Sequence, residues 1–597
     1  MGSICGYCGT GNDQLVEQML GRLEHRGPSG QATWSNPRIG LGCNSERTDL
    51  GYPNYQVATS RDGNVTCVLD GYLFNQQQLA ADLAEQGIEL EKQDPAQIAA
   101  NWFMLEGTAC FTRFDGAFTL ALVSGDELLL VRDALGERPL YYCTQSSETI
   151  LFASEIKAFL ANDQFQCDSN PEALNRLLVF SFLPGEETMF RGVRELLPGH
   201  FIQWTPSGLS PQQQYWDLEE NITDHDEEYY VDRMRELTYD AVRKRLVVDG
   251  PVGAFLSGGL DSSAVVAILA DLGVETKTYS IGFGAGLPNE LMYARLVAEH
   301  WDLEHQIMHV EPKMFLDLLP NIIWNLDDPL CDCIVVPNYL LASQAGKDVK
   351  LLFNGEGGDP LFGGPKNKFM IIHNWYKQLT GEDTTQAYLS SYHKFYDYIS
   401  DVYRGKFRKQ LVGDKDLESF VRPVLEGEHP RSFLNKLMYL NTKLKGGQNI
   451  LVKVDKMLSA HALPAMSPLF DRAVAEFSFT MPTHLKRQRD VEKYVFKMSI
   501  DDKLPTPVVY RKKAGMGVPL NYWFLRTELR GYAHDLLLSK RCRERGIFSQ
   551  KLIRRLLKGQ MPKNAIGQNR SGEMLWMMMA VELWHQVFID QRGLLQP

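Results

Sequence analysis

Apolar residues come in two rhythms along this chain. From Cys5 to about Gly208 they gather in short stretches, such as Val65–Leu69 and Phe118–Val123, separated by Gly, Asp and Asn turns. That alternation predicts a half built mostly of sheet. Between Ser210 and Glu228 the large aliphatics give way to Gln, Asp and Glu, the composition of a linker. Beyond it, strand-like runs at Val252–Leu256, Thr278–Gly282 and Val349–Phe353 are separated by helix-like segments, which predicts a parallel sheet covered by helices. Residues 366–450 are aromatic and charged at helical spacing, and Leu575–Trp584 predicts a buried helix whose Met and Trp residues serve packing. The expected class is α/β: a sheet-rich domain over residues 1–210, a linker over 211–228, and a doubly wound parallel-sheet domain with helical additions over 229–597.

Composition narrows the partners. A chain of 597 residues is too long for one core, so two domains are the default. The net charge of -12 argues against a broad nucleic-acid face, and no uncharged apolar run approaches twenty residues. Met1-Gly2-Ser3-Ile4 has neither a basic segment nor an apolar signal core, so a cytoplasmic protein is expected. Ten irregularly spaced cysteines read as reduced thiols, without the paired CxxC of a structural zinc site.

The densest chemical signal is Val252–Ile268. An apolar strand-like run ends at Ser257-Gly258-Gly259-Leu260-Asp261-Ser262-Ser263, and a helical pattern starts directly behind it. Glycines let the backbone approach an anion, the serine hydroxyls and helix-start amides donate to it, and the helix dipole favours it. The Gly-Lys-Ser/Thr ending of a Walker A loop is missing, so no lysine is placed beside phosphate by that motif. Asp261 instead implies magnesium, which commonly joins carboxylates to phosphate oxygens. A second glycine-rich turn, Asn354–Gly364, follows the Val349–Phe353 run, and ligands of open α/β sheets sit at such strand ends. In it Asp359 is a candidate to share the magnesium, and Glu356 a candidate base.

Together with Cys5-Gly6, His25-Arg26-Gly27-Pro28, Asp115–Phe118, Arg132–Tyr142, Ala153–Lys157, Leu197–His200, Ser280–Phe283, Lys453–Lys456, Pro468–Asp471 and Arg511–Lys513, these motifs resemble the asparagine synthetase family over nearly the whole chain. The resemblance implies an Ntn-type αββα glutamine amidotransferase domain followed by a PP-loop synthetase. There a carboxylate attacks the α-phosphorus of MgATP, pyrophosphate leaves, and an amine displaces AMP. It further implies that Ser257, Gly258, Gly259, Asp261, Ser262 and Ser263 hold pyrophosphate, and that Asp261 and Asp359 hold magnesium. Leu256, Ile281 and Gly355 would meet the nucleoside, Glu356 would assist the amine, and Lys513 would neutralise developing charge. The family commonly forms dimers, so a homodimer is admitted.

The chain departs from its relatives at the residues of the first half. The family's nucleophile is an N-terminal cysteine that uses its own amine as base, whereas Met1-Gly2-Ser3-Ile4 precedes Cys5. The family's Asn-Gly-Glu segment reads Asp70-Gly71-Tyr72, its glutamine-gripping arginine has only the out-of-register Arg47 nearby, and its paired acids reduce to Asp94. With Arg26, these are remnants of a glutamine pocket, and a domain that no longer hydrolyses glutamine is expected. In the second half Pro464 and Met466 replace an acid and an arginine, Pro360 replaces an acid and Asn354 a serine, which disfavours aspartate as substrate. The leading expectation is an AMP-forming amide-bond synthetase whose amine is ammonia, glutamine-derived nitrogen or an internal amine, as in β-lactam synthetases and lasso-peptide cyclases. Glutamine-hydrolysing asparagine synthesis is the alternative. A nucleotide-binding regulatory protein without catalysis is the alternative from another class, and retention of Asp261, Glu356, Asp359 and Lys513 speaks against it.

Overall fold

A computed structural model describes residues 2–590, apart from position 10 and the segments 46–56, 91–92, 145–148, 285–286, 288, 382, 393–394, 412–415, 512–516 and 562–568. The sheet-rich half forms two antiparallel sheets. The first runs in the order β10 (Val193–Glu195), β8 (Tyr141–Cys143), β9 (Thr149–Ala153), β1 (Ser3–Gly9), β3 (Ile39–Ser45), β2 (Gly30–Ser35). The second runs β12 (Gly208–Leu209), β11 (His200–Thr205), β7 (Glu127–Arg132), β6 (Gly116–Ser124), β5 (Val65–Leu73), β4 (Ala58–Thr59), with β13 (Gln213–Gln214) on β11.

Strand alternation sorts the side chains of β1. Ile4 and Cys8 face the second sheet and pack with Leu41, Val68, Ala121 and Phe152, whereas Cys5 and Tyr7 face outward under helix α1 (Asp13–Gly21), against Val16, Met19 and Leu20. Helices α2 (Gln76–Glu85) and α3 (Pro95–Glu106) cover the outer face of the second sheet through Leu79, Leu83, Ile98 and Trp102. The layers are therefore helix, sheet, sheet, helix, and strands covered on both faces read as near-continuous apolar runs. The stretch expected to be a polar linker is only partly that. Trp216 and Leu218 are buried, and the Trp216 indole N–H donates to Glu476 at 2.7 Å. Helix α4 (Ala173–Phe180) packs beneath the first sheet, and α5 (Glu227–Arg243) opens the second half with Asp226 as its N-cap.

The second half is built on a parallel sheet of order β16 (Glu304–His309), β15 (Thr276–Gly282), β14 (Val252–Phe255), β17 (Leu351–Phe353), β18 (Ala465–Met466). On one face Val252, Ala254, Leu351 and Phe353 pack with α5, α6 (Leu260–Asp271) and α7 (Leu291–His300). On the other, Tyr279, Ile281 and Leu352 pack with α8 (Pro312–Leu326), α9 (Val335–Ala345) and the helix Ser571–Trp584. The expectation of an α/β chain with a doubly wound sheet is borne out. Trp576 and Met577–Met579 are buried core, and no helix among the described residues is long and apolar enough to cross a membrane.

Candidate active site

Strands β14 and β17 lie side by side and parallel, with Val252 opposite Leu351 and Ala254 opposite Phe353. The sequence order reverses between them, and such a switch point opens a crevice at the carboxyl ends. The two glycine-rich turns leave the sheet there. Gly258 holds φ of +80, a region closed to most side chains, and α6 begins behind it with Gly259 at the N-cap and no side-chain cap. Ser257 and Ser262 close the turn on themselves, hydroxyl to hydroxyl at 2.9 Å, with the Ser257 amide on the Ser262 hydroxyl at 3.1 Å. The Ser263 hydroxyl is buried and makes no hydrogen bond among the described residues. Uncapped amides and a spare hydroxyl at a helix start form an anion site.

The second turn presses on the first. A methyl group on Gly355 would stand 2.6 Å from Ser262 Cα and 2.7 Å from the Asp261 carbonyl carbon, so only glycine lets the turns meet. Gly355→Ala should therefore force them apart and lower activity by roughly a hundredfold, the size of effect an ångström of misplacement produces. Thermal midpoint and pyrophosphate release, measured together, check this; a variant of unchanged activity would refute the contact. Asn354, which replaces the family's serine, turns away from the crevice. Its amide donates to the Met466 carbonyl at 3.0 Å and to the Ser467 hydroxyl at 2.9 Å, and its oxygen accepts from the Glu356 amide at 3.0 Å. Leu256 follows β14 and Ile281 lies near the end of the neighbouring β15; the Leu256 amide donates to the Tyr279 carbonyl, and the Ser280 hydroxyl donates to the Leu256 carbonyl.

Asp261 and Asp359 converge from the two turns on a residue that motif reasoning missed. The Lys493 ammonium lies 2.7 and 2.6 Å from the Asp261 carboxylate oxygens and 2.6 Å from Asp359 Oδ1. Lys493 is buried and holds φ of +54, a strained setting for a non-glycine residue that tends to mark functional positions. Among the described residues no set of three or more His, Cys, Asp or Glu gathers for a metal, so a cation held by this acid pair takes its other ligands from phosphate and water. Glu356 faces Lys453 of the helix Leu451–Ser459. Burial opposes the Lys453 charge, but Asp332 at 3.0 Å and then Glu356 outweigh it and hold its pKa above the usual lysine value. Arg511 braces the crevice from outside, donating to the Gly258 carbonyl at 2.9 Å and pairing with Glu290 at 2.6 Å. Lys513 and Arg47 lie outside the described residues.

The glutamine-pocket residues are arranged differently. Cys5 sits in mid-strand, paired with Gly42 on one side and Ala153 on the other, and is fully buried. Burial, then the neighbouring Cys43, push its thiol well above the usual range, and its sulfur points at the Val16 carbonyl, 3.9 Å away. A thiol so placed is neither ionised nor accessible. The residue at the polar centre is Gly2: its amide donates to Asp70 Oδ1 at 3.2 Å, and its carbonyl accepts from Arg26 at 3.0 Å. Arg26 also reaches Asp70, Glu155 and Asp455, and Ser154 donates to Asp70. All are buried. Gly71 takes φ of +110 against the Ala117 carbonyl, and Asp94 caps α3 by accepting from the Ala96 amide at 2.7 Å. Asp94 thus has a helix to hold.

The two halves match a glutamine amidotransferase domain and an asparagine synthase, and that pairing makes the chain an ATP-dependent carbon–nitrogen ligase. The chain belongs to the asparagine synthetase family: its residues 233–586 match asparagine synthase and residues 1–216 a glutamine amidotransferase domain. It is 25% identical to the glutamine-hydrolysing asparagine synthetase 1 of Bacillus subtilis strain 168, over 99% of this chain and 98% of that protein. It is 26% identical to a putative glutamine-hydrolysing asparagine synthetase of Mycobacterium tuberculosis strain H37Rv, over 95% and 93%. The amidase chry2 of Gibberella zeae is 27% identical over 63% of this chain and 60% of its own. The family uses ATP, and the first domain is of a kind that handles glutamine.

Proposed function

We propose that this protein adenylates a carboxylate with ATP and passes the acyl group to an amine that its own first domain does not release from glutamine. The convergence of Asp261 and Asp359 on Lys493 at the switch point carries the synthetase part. The Ser257–Ser263 turn would take the pyrophosphate end of ATP on its amides and hydroxyls. One carboxylate oxygen of the substrate attacks the α-phosphorus, and the bond to pyrophosphate breaks. Lys493 would follow the phosphate charge as it builds, and Lys453 is placed to receive the anionic substrate beside Glu356. The amine nitrogen then attacks the acyl carbon, Glu356 takes its proton, and AMP leaves with the electron pair of the broken C–O bond. Magnesium fits the acid pair, where Asp261 and Asp359 would hold it; it supplies charge neutralisation for the phosphates.

The amine's origin is argued from the first domain. Cys5 is sealed in mid-strand, and the polar remnants close on Gly2. A thiol so buried offers no thiolate for attack on glutamine. The names of the full-length relatives favour the second reading, glutamine-hydrolysing asparagine synthesis.

Pyrophosphate, AMP and glutamate release separate the two. With MgATP and a panel of carboxylates, AMP is expected with ammonium or with no added amine, and without glutamate when glutamine is supplied. Glutamate released in step with AMP from aspartate would overturn the proposal.

A further inference from the structure

A cavity of about 570 Å³ opens between the two domains. One side comes from residues 176–214 of the first domain, the other from residues 419–448 of the second. None of Ser257–Ser263, Glu356, Asp359 or Lys493 lines it. Its surface is mainly apolar, with Pro198, Phe420, Val424 and Leu444 contributing. Concave, largely apolar spaces of this size with few polar groups, at domain interfaces, are where small molecules bind.

The polar group that decides the ligand is Lys443. Its side chain is 12% exposed, and its ammonium lies 3.3 Å from Asp217 and 4.6 Å from the centre of the Trp216 ring. Asp217 is shared, because the Tyr439 hydroxyl donates to the same carboxylate at 2.9 Å. Among the described residues the Lys443 nitrogen makes no hydrogen bond, although an ammonium carries three donors. Burying such donors unused is unfavourable. Asp217 balances the Lys443 charge without completing a hydrogen bond, and the other charges of the lining are hydrogen-bonded in pairs: Arg176 donates to Glu187 at 3.0 Å and Arg194 to Glu186 at 3.3 Å. The unmet demand is therefore for a hydrogen-bond acceptor, one group wide. With the lining arginines already engaged by Glu187 and Glu186, one ammonium with donors to spare suits a carboxylate better than a phosphate, which asks for several donors.

We infer that this cavity is a second binding site, for a small molecule with an apolar body whose carboxylate takes the Lys443 ammonium. Lys443 belongs to a π-helical segment, Leu440–Ile450, and such irregular turns often occur at functional sites. The segment runs straight into Leu451–Ser459, which bears Lys453. A bound carboxylate therefore rests on the same rod that enters the active site.

Calorimetric titration of the full chain with 3-phenylpropanoate, and with the neutral 3-phenylpropanol, tests this, together with hydrogen exchange over residues 440–450. The carboxylate should bind about tenfold or more tightly than the alcohol and slow exchange in that segment. Lys443→Met removes the cation and Val424→Trp fills the apolar end while leaving the cation. Each should weaken the carboxylate by about tenfold or more, with AMP formation unchanged when no probe is present. Absence of binding, or binding that both variants retain, would overturn the assignment; the second result would mean that the probe sits in the synthetase pocket. Neither outcome depends on which amine the enzyme uses.

Discussion

Asp261→Asn should lower pyrophosphate release by about a hundred- to a thousandfold, the loss that follows removal of one charge-stabilising group. The asparagine keeps the shape of the aspartate, which from the start of α6 packs on Gly358, and Lys493 keeps Asp359 as its partner, so the fold should survive. What disappears is one of the two negative charges gathered around Lys493. The effect should fall on kcat more than on KM for the carboxylate, because the acid pair meets phosphate and not the acid substrate. Initial rates at saturating carboxylate check it. A variant within a few fold of the native rate would remove Asp261 from the chemistry and leave its pairing with Lys493 as packing alone.

The second large effect concerns stability. Arg26 is the cation of a fully buried set, donating to Gly2, Glu155, Ser459 and both oxygens of Asp455. Around it Arg138 also pairs with Asp455 at 2.6 Å, Lys456 with Asp327 at 2.9 Å, and Lys157 with Asp327 at 3.0 Å and with Glu155. Arg26→Met fills the volume but leaves buried acids short of one cation, which costs about 3–5 kcal/mol. For a domain of this size that is roughly 6–20 °C in the midpoint of its transition. Because Asp455 lies on the helix Leu451–Ser459, the first unfolding step by calorimetry should move down and should involve both domains. An unchanged midpoint would mean that water already solvates the set.

The rhythm of apolar residues carried most of the fold. The short apolar stretches between turns announced the sheet-rich half, and the glycine-rich turns behind Val252–Leu256 and Val349–Phe353 announced the ends of parallel strands, because strand and turn chemistry are local. Long-range partners were hidden. Lys493 stands 232 residues from Asp261, in a stretch without glycine, and its left-handed backbone leaves no trace in residue types. Cys5 resembled a nucleophile by its neighbour Gly6, yet its face was decided by the register of β1 against β3, which places Gly2 and not Cys5 beside Asp70. Trp216 and Leu218, inside a polar stretch, found their partners in the second half of the chain. The π-helical turn of Leu440–Ile450 followed from packing that local propensity does not encode.

The helix Leu451–Ser459 turns Lys453 toward Asp332 and Glu356 in one domain and Asp455 toward the other domain's arginines. A gene trimmed to its synthetase half would therefore produce a protein with a raw seam of uncompensated charge where Arg26 and Arg138 had been. Under such a constraint the first domain is held to the second by its charges, whatever chemistry it performs.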